Sequence, residues 1–80
     1  MDLIIITPVQ ELIYGITWLE INTPVGNFVI QPGHAPTVLT LAANEKITFC
    51  LKNGKRESMP IKQGVVHITR TAATIIMNEP

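Results

Sequence analysis

The chain has 80 residues, of which 46% are hydrophobic and only 15% are charged. Six basic residues balance six acidic ones, so the chain lacks the positive excess that nucleic-acid binding requires. A single cysteine excludes an internal disulfide framework, and this length predicts one domain, residues 1–80. So few charges indicate either a surface covered by a partner or simply a compact β domain rich in Ile and Val. Composition leaves both possibilities open.

The apolar segments predict neither a signal peptide nor a membrane span. The run Met1–Ile6 is apolar but lacks a basic leader. Residues 21–44 contain no Asp, Glu, Lys or Arg, but prolines and glycines interrupt them. A membrane helix with those breakers would leave backbone groups unpaired in lipid. The sequence therefore predicts no direct membrane insertion.

Short apolar runs separated by turn residues predict an all-β fold, a small flattened β-sandwich of about eight to ten strands. The predicted strands are residues 3–7, 12–22, 27–31, 37–42, 46–52, 55–61, 65–69 and 74–77. Gly15 indicates a bend or bulge in the second strand. Asn53 and Gly54 predict a type I′ hairpin turn, with positive φ at both residues. Pro60 restricts the strand that contains it to a sheet edge or to its own end.

The loop after the third predicted strand has well-defined turn chemistry. Pro32 sets φ for the second position of a turn and Gly33 accepts positive φ at the third, so the pair predicts a type II turn. Ala35 precedes Pro36 and is restricted to an extended conformation. We expect a rigid, protruding loop with His34 near its tip. Such a loop is either a recognition element or an ordinary well-made turn.

The segment containing this loop resembles a known family. Gly26–Pro36, followed by Thr37–Leu41, combines a glycine, a short strand and a Pro-Gly-His-Ala-Pro loop. This order resembles the N-terminal β-sandwich domain of the epsilon subunit of F-type ATP synthases. Residues 3–15 are similar to the opening hairpin of that domain, and residues 64–77 to its closing strands. The resemblance therefore covers nearly the whole chain.

The resemblance implies a non-catalytic central-stalk (rotor) subunit that docks on the gamma subunit and on the polar loops of the membrane c-ring. Such a subunit couples ion translocation to ATP synthesis without a cofactor. It would be a peripheral membrane protein on the cytoplasmic face of a bacterial inner membrane, or on the equivalent side of an organelle membrane. The ring-facing residues implied are Gly26, Asn27, Gln31, Pro32, Gly33, His34, Ala35 and Pro36. Trp18, Val38 and Leu39 are predicted to face gamma, Trp18 because a lone exposed tryptophan is unfavourable.

This sequence departs from the family pattern at three places. Many relatives carry an acidic residue where this chain has Asn27, and Gln63–Gly64 replaces the usual Gly-Gly pair. Most relatives also continue into a C-terminal helical hairpin that can bind ATP or inhibit hydrolysis. Those two functions are not assigned to residues 1–80.

Other chemistry is sparse in the sequence. His34, His67 and Cys50 are its only soft metal ligands, and they occupy three separate segments, so no metal site is predicted. Motifs of hydrolases, P-loop proteins and dinucleotide-binding proteins are absent, so no enzyme activity is predicted. A free-standing β-sandwich module that binds another protein is the alternative function. A small β-barrel enzyme ranks third.

Overall fold

The computed structural model describes residues 1–78, which form eight β-strands and no helix. The strands are β1 Asp2–Ile6, β2 Glu11–Thr23, β3 Gly26–Ile30, β4 Thr37–Thr40, β5 Glu45–Leu51, β6 Arg56–Ile61, β7 Gly64–Ile68 and β8 Ala72–Met77. The predicted all-β sandwich is confirmed, and each predicted strand end lies within two residues of the observed one. The predicted domain, residues 1–80, extends two residues beyond the described range.

The 13-residue strand β2 belongs to two sheets. Its first half pairs with β1 in a sheet of order β4-β7-β8-β1-β2, which we call the front sheet. Its second half pairs with β3 and β5 in a sheet of order β3-β2-β5-β6, the back sheet. The register shifts between Ile16 and Trp18. This bulge bends β2 directly after Gly15, where the sequence predicted a bend or bulge.

The core lies between the two sheets and is built from alternating residues of each strand. From the front sheet it includes Leu3, Ile5, Val66, Ile68, Ala73 and Ile75, and from the back sheet Leu19, Ile21, Ile30, Ile47, Phe49 and Ile61. The rings of Tyr14 and Phe49 join the two layers, with centroids 5.0 Å apart. The shortest dimension of the molecule, 19 Å, is consistent with two sheets about 10 Å apart plus the side chains on their outer faces.

The β5–β6 hairpin corrects one prediction. The Leu51 N–H donates to the Lys55 carbonyl at 2.8 Å, and the Gly54 N–H donates to the Leu51 carbonyl at 2.9 Å, so the loop has three residues. Gly54 has φ of 91°, whereas Asn53 has no positive φ. The type I′ prediction is therefore wrong, because a three-residue loop requires a left-handed residue only at its last position. Pro60 lies on β6, which is an edge strand as predicted.

Candidate partner-binding surfaces

The β3–β4 loop has the turn predicted from its sequence. The His34 N–H donates to the Gln31 carbonyl at 3.2 Å, and Gly33, at the third turn position, has φ of 86°. Positive φ at that position defines a type II turn, so Pro32 and Gly33 act as expected. His34 is only half-exposed, and its Nδ1 lies 2.7 Å from the Ala35 carbonyl oxygen. The imidazole is therefore held against its own loop.

A residue that is distant in the sequence binds this loop to the front sheet through two hydrogen bonds. The Gly33 N–H donates to the Arg70 carbonyl at 2.8 Å, and Arg70 Nη1 donates back to the Gly33 carbonyl at 3.2 Å. Arg70 lies in the β7–β8 turn, 37 residues further along the chain. No local pattern in the sequence could have indicated this pairing. The two hydrogen bonds make the loop part of one end of the sandwich.

The residues expected to face the c-ring do not lie at a single end of the molecule. Gly26 and Asn27 begin β3 beside the β2–β3 turn, where Asn27 Nδ2 donates to Asn22 Oδ1 at 3.1 Å. The residues from Gln31 to Pro36 follow the other end of the same strand. At about 3.3 Å per residue, Asn27 and Gln31 are about 13 Å apart. Gly26 and Asn27 therefore lie at the opposite end of β3 from the residues of the loop.

The three residues expected to face gamma are also separated. Trp18 lies on the outer side of the back sheet, and Val38 lies on the outer side of the front sheet. Leu39 alternates with Val38, is half-buried and packs against the core. Trp18 and Val38 therefore lie on opposite outer faces, and the surface described next contains Val38.

The outer face of the front sheet is apolar across all five strands. The strand registers align two rows of outward-pointing residues, first Val38, His67, Thr74, Ile4 and Ile13, and then Thr40, Val65, Ile76, Ile6 and Glu11. We call these ten residues the front face. Four of its aliphatic side chains are well exposed: Ile13 at 65%, Val38 at 64%, Ile76 at 48% and Val65 at 40%. Glu11, at a corner, is its only carboxylate.

The outer face of the back sheet is chemically different. Trp18, Cys50 and Arg56 are aligned across three strands, and the Arg56 guanidinium lies 5.4 Å from the centroid of the Trp18 ring. Cys50 lies between them in register and is 9% exposed. A shallow groove beside this stack is lined by Trp18, Glu20, Val29, Gln31 and Arg56. This face combines charged, polar and aromatic groups, whereas the front face is mainly aliphatic.

The structure shows no feature specific to a metal site or a membrane span in the range it describes. Within residues 1–78, no three His, Cys, Asp or Glu side chains are placed to hold a metal ion. His34, His67 and Cys50 lie respectively in the β3–β4 loop, on the front face and on the back sheet. None of the elements in this range is a helix that could cross a bilayer.

A broad apolar face and an exposed loop that is held in a fixed shape by hydrogen bonds are features of protein-interaction domains. A comparison with family models identifies the family of this domain. The family described as "ATP synthase, Delta/Epsilon chain, beta-sandwich domain" matches residues 1–79. The chain therefore belongs to this family, whose members are accessory, non-catalytic ATP synthase subunits.

Solved structures share the fold at low sequence identity. A chain in the structure of the Euglena gracilis mitochondrial ATP synthase, containing OSCP, F1 and the c-ring, is 20% identical with a TM-score of 0.85. A chain in the Tetrahymena thermophila mitochondrial ATP synthase central stalk and c-ring is 17% identical with a TM-score of 0.81. They are matched over 94% and 99% of this chain, which spans only 48% and 63% of their lengths. No curated protein matches the sequence.

Proposed function

We propose that this chain is a non-catalytic part of the central stalk of a rotary ATP synthase, docked on the gamma subunit through its front face. The observation that carries the proposal is the continuous apolar surface with Ile13, Val38, Val65 and Ile76 exposed. A stable protein interface removes on the order of 800 Å² from each partner and depends on a few central apolar anchors. The front face supplies such anchors, and family membership supplies the partner.

The second proposed contact is with the c-ring, through the loop from Gln31 to Pro36. The type II turn and the two hydrogen bonds between Gly33 and Arg70 give this loop a fixed shape. A loop of fixed shape can contact the successive loops of the ring without becoming ordered each time, so little conformational entropy is lost on each contact. The proposed location is peripheral, on the membrane-bound complex. Coupling of ion flow to ATP synthesis would then pass through the two contacts.

Matched surface variants test the gamma contact. Ile13→Ser combined with Val38→Ser removes two exposed anchors of the front face, whereas Val29→Ser removes an aliphatic side chain, 51% exposed, from the back sheet. Burying each aliphatic side chain contributes on the order of 1.5 kcal/mol, so losing two should weaken gamma binding on the order of a hundredfold. Val29→Ser should bind normally. Equal affinities for the two variants, with unchanged melting temperatures, would contradict docking through the front face.

Cysteine cross-linking in the assembled complex tests the ring contact. Asn27→Cys and Gln31→Cys place one thiol at each end of β3, and we expect the natural Cys50 not to react because it is buried. We expect disulfide formation with a cysteine in the c-ring loop only from Gln31→Cys. Cross-linking only from Asn27→Cys would assign the ring to the opposite end of the sandwich and reject the loop. A folded chain that binds neither gamma nor the ring would favour the free-standing binding module.

A further inference from the structure

His67 lies on β7, between β4 and β8, in the first row of the front face, and the other titratable residue of this face, Glu11, lies at a corner. In register His67 is paired with Val38 on one side and Thr74 on the other, and Ile4 follows in the same row. It is exposed, and in the part of the chain that the structure describes neither ring nitrogen has a hydrogen-bond partner. A partner that covers the front face must therefore cover an unpaired imidazole.

The charges around His67 are few and distant. Its neighbours across β4 and β8 are uncharged, as are Val65 and Thr69 on its own strand. Asp2, on β1, and Glu11, on β2, lie beyond one or two intervening strands, towards the ends of the face. Arg70 follows three residues later in the β7–β8 turn, where its guanidinium donates to the Gly33 carbonyl. No carboxylate adjoins the imidazole to hold a positive charge once water is excluded.

Burial affects the two protonation states of such an imidazole differently. The neutral ring can be buried if the partner supplies one hydrogen bond, because an unsatisfied polar group is expensive to desolvate. The protonated ring carries a charge, and burial in apolar surroundings opposes the charged form. In the unbound chain, water solvates both forms. Acid therefore favours the unbound chain, and binding is strongest when the imidazole is neutral.

We infer that His67 determines the specificity of the front face and makes docking on it weaken in acid. This inference rests on the proposed docking of gamma at the front face. It also defines the chemistry of the partner surface: aliphatic, with one hydrogen-bonding group opposite His67 and no cation beside it. Histidine is the side chain that changes charge between pH 5 and 8, so we expect the affinity to fall on the order of tenfold between pH 7.5 and 5.5.

Binding of purified gamma subunit to the full chain tests the inference at pH 7.5 and 5.5. The two variants are His67→Gln, which keeps a hydrogen-bonding side chain without titrating, and His67→Phe, which keeps a ring without polar atoms. His34, the other histidine, remains in every protein, so any pH dependence that survives in the variants belongs to other groups. Melting temperatures of the unbound chains at both pH values show whether the fold itself responds to acid.

We expect the wild-type affinity to fall about tenfold on acidification while both variants change less than twofold. At pH 7.5, His67→Phe should bind more weakly than His67→Gln, because it leaves the opposing polar group unpaired. A wild type without a pH effect, or a tenfold effect retained in His67→Gln, would overturn the inference while leaving gamma docking intact. A complete lack of gamma binding at pH 7.5 would refute the docking itself, and the inference with it.

Discussion

Replacing Gly64 with alanine should destabilise the protein, although alanine in a strand is normally more stabilising than glycine. Alanine inside a strand ordinarily gains about 0.5–1 kcal/mol over glycine, because glycine loses more chain entropy on folding. At Gly64, however, a β-carbon would lie 2.9 Å from the backbone carbonyl oxygen of Ile76, against the 3.4 Å at which ordinary contacts begin. The paired strands β7 and β8 would have to separate by about 0.5 Å, the difference between those distances.

The expected loss of stability is the cost of overpacking minus the gain from replacing glycine by alanine. Overpacking a well-packed site costs about 1–3 kcal/mol, so subtracting the gain from alanine leaves a net loss for Gly64→Ala centred near about 1 kcal/mol and at most about 2.5 kcal/mol. For a domain of this size, a loss of about 1 kcal/mol lowers the melting temperature by about 4–8 °C. Thermal unfolding followed by circular dichroism measures the shift directly. A denaturant titration gives the free energy of unfolding independently.

Gly15→Ala is the matched control for this experiment. Its added β-carbon would lie 3.3 Å from Cε of Lys52, the far end of a flexible, exposed side chain that can move aside. We therefore expect its stability to equal or exceed that of the wild type by up to about 1 kcal/mol. A Gly64→Ala variant that melts at or above the wild-type temperature, or equal destabilisation of both alanine variants, would show that the contact with the Ile76 carbonyl does not limit this site.

Three further expectations concern other parts of the fold. Gly33→Val should lower the free energy of unfolding by about 1–2 kcal/mol, because a β-branched residue resists the positive φ of that turn. His34→Ala should change the melting temperature by no more than about 2 °C from that of the wild type. Phe49→Ala should cost about 3–5 kcal/mol by removing a buried ring that packs on Tyr14, and a soluble variant with native stability would contradict that packing. Because Cys50 is buried, its thiol should react with a small alkylating reagent only as fast as the chain unfolds. Rapid labelling of the folded chain would instead show that the structure around Cys50 opens locally.

Local chemistry was sufficient to predict the elements of this fold. Alternating apolar residues located the strands, and the Pro32–Gly33 pair correctly predicted a type II turn, because each signal acts over two to four neighbouring residues. The Asn53–Gly54 pair was ambiguous, since the same dipeptide occurs in hairpin loops of two or three residues. Loop length depends on the register of the paired strands, which the dipeptide does not specify.

The grouping of residues into surfaces could not be predicted in the same way. In the first half of β2, Tyr14 and Ile16 point inward, and strict alternation would have placed Trp18 inward with them. The bulge at Thr17 reverses the alternation, so Leu19 enters the core and Trp18 points outward. The pairing of Gly33 with Arg70 likewise depends on two turns that meet only after both sheets have formed. Gly15 indicated a bend or bulge in this strand but not its position at Thr17, and no local signal indicated the pairing of Gly33 with Arg70.

The sharing of β2 between both sheets has a mechanical consequence. In a sandwich held together only by side chains, one sheet can slide over the other without breaking any backbone hydrogen bond. Here, sliding would bend or tear a single continuous strand that is hydrogen-bonded to β1 at one end and to β3 and β5 at the other. The molecule should therefore resist shear between its layers as one stiff block. A load applied to one sheet would reach the other through a covalent chain.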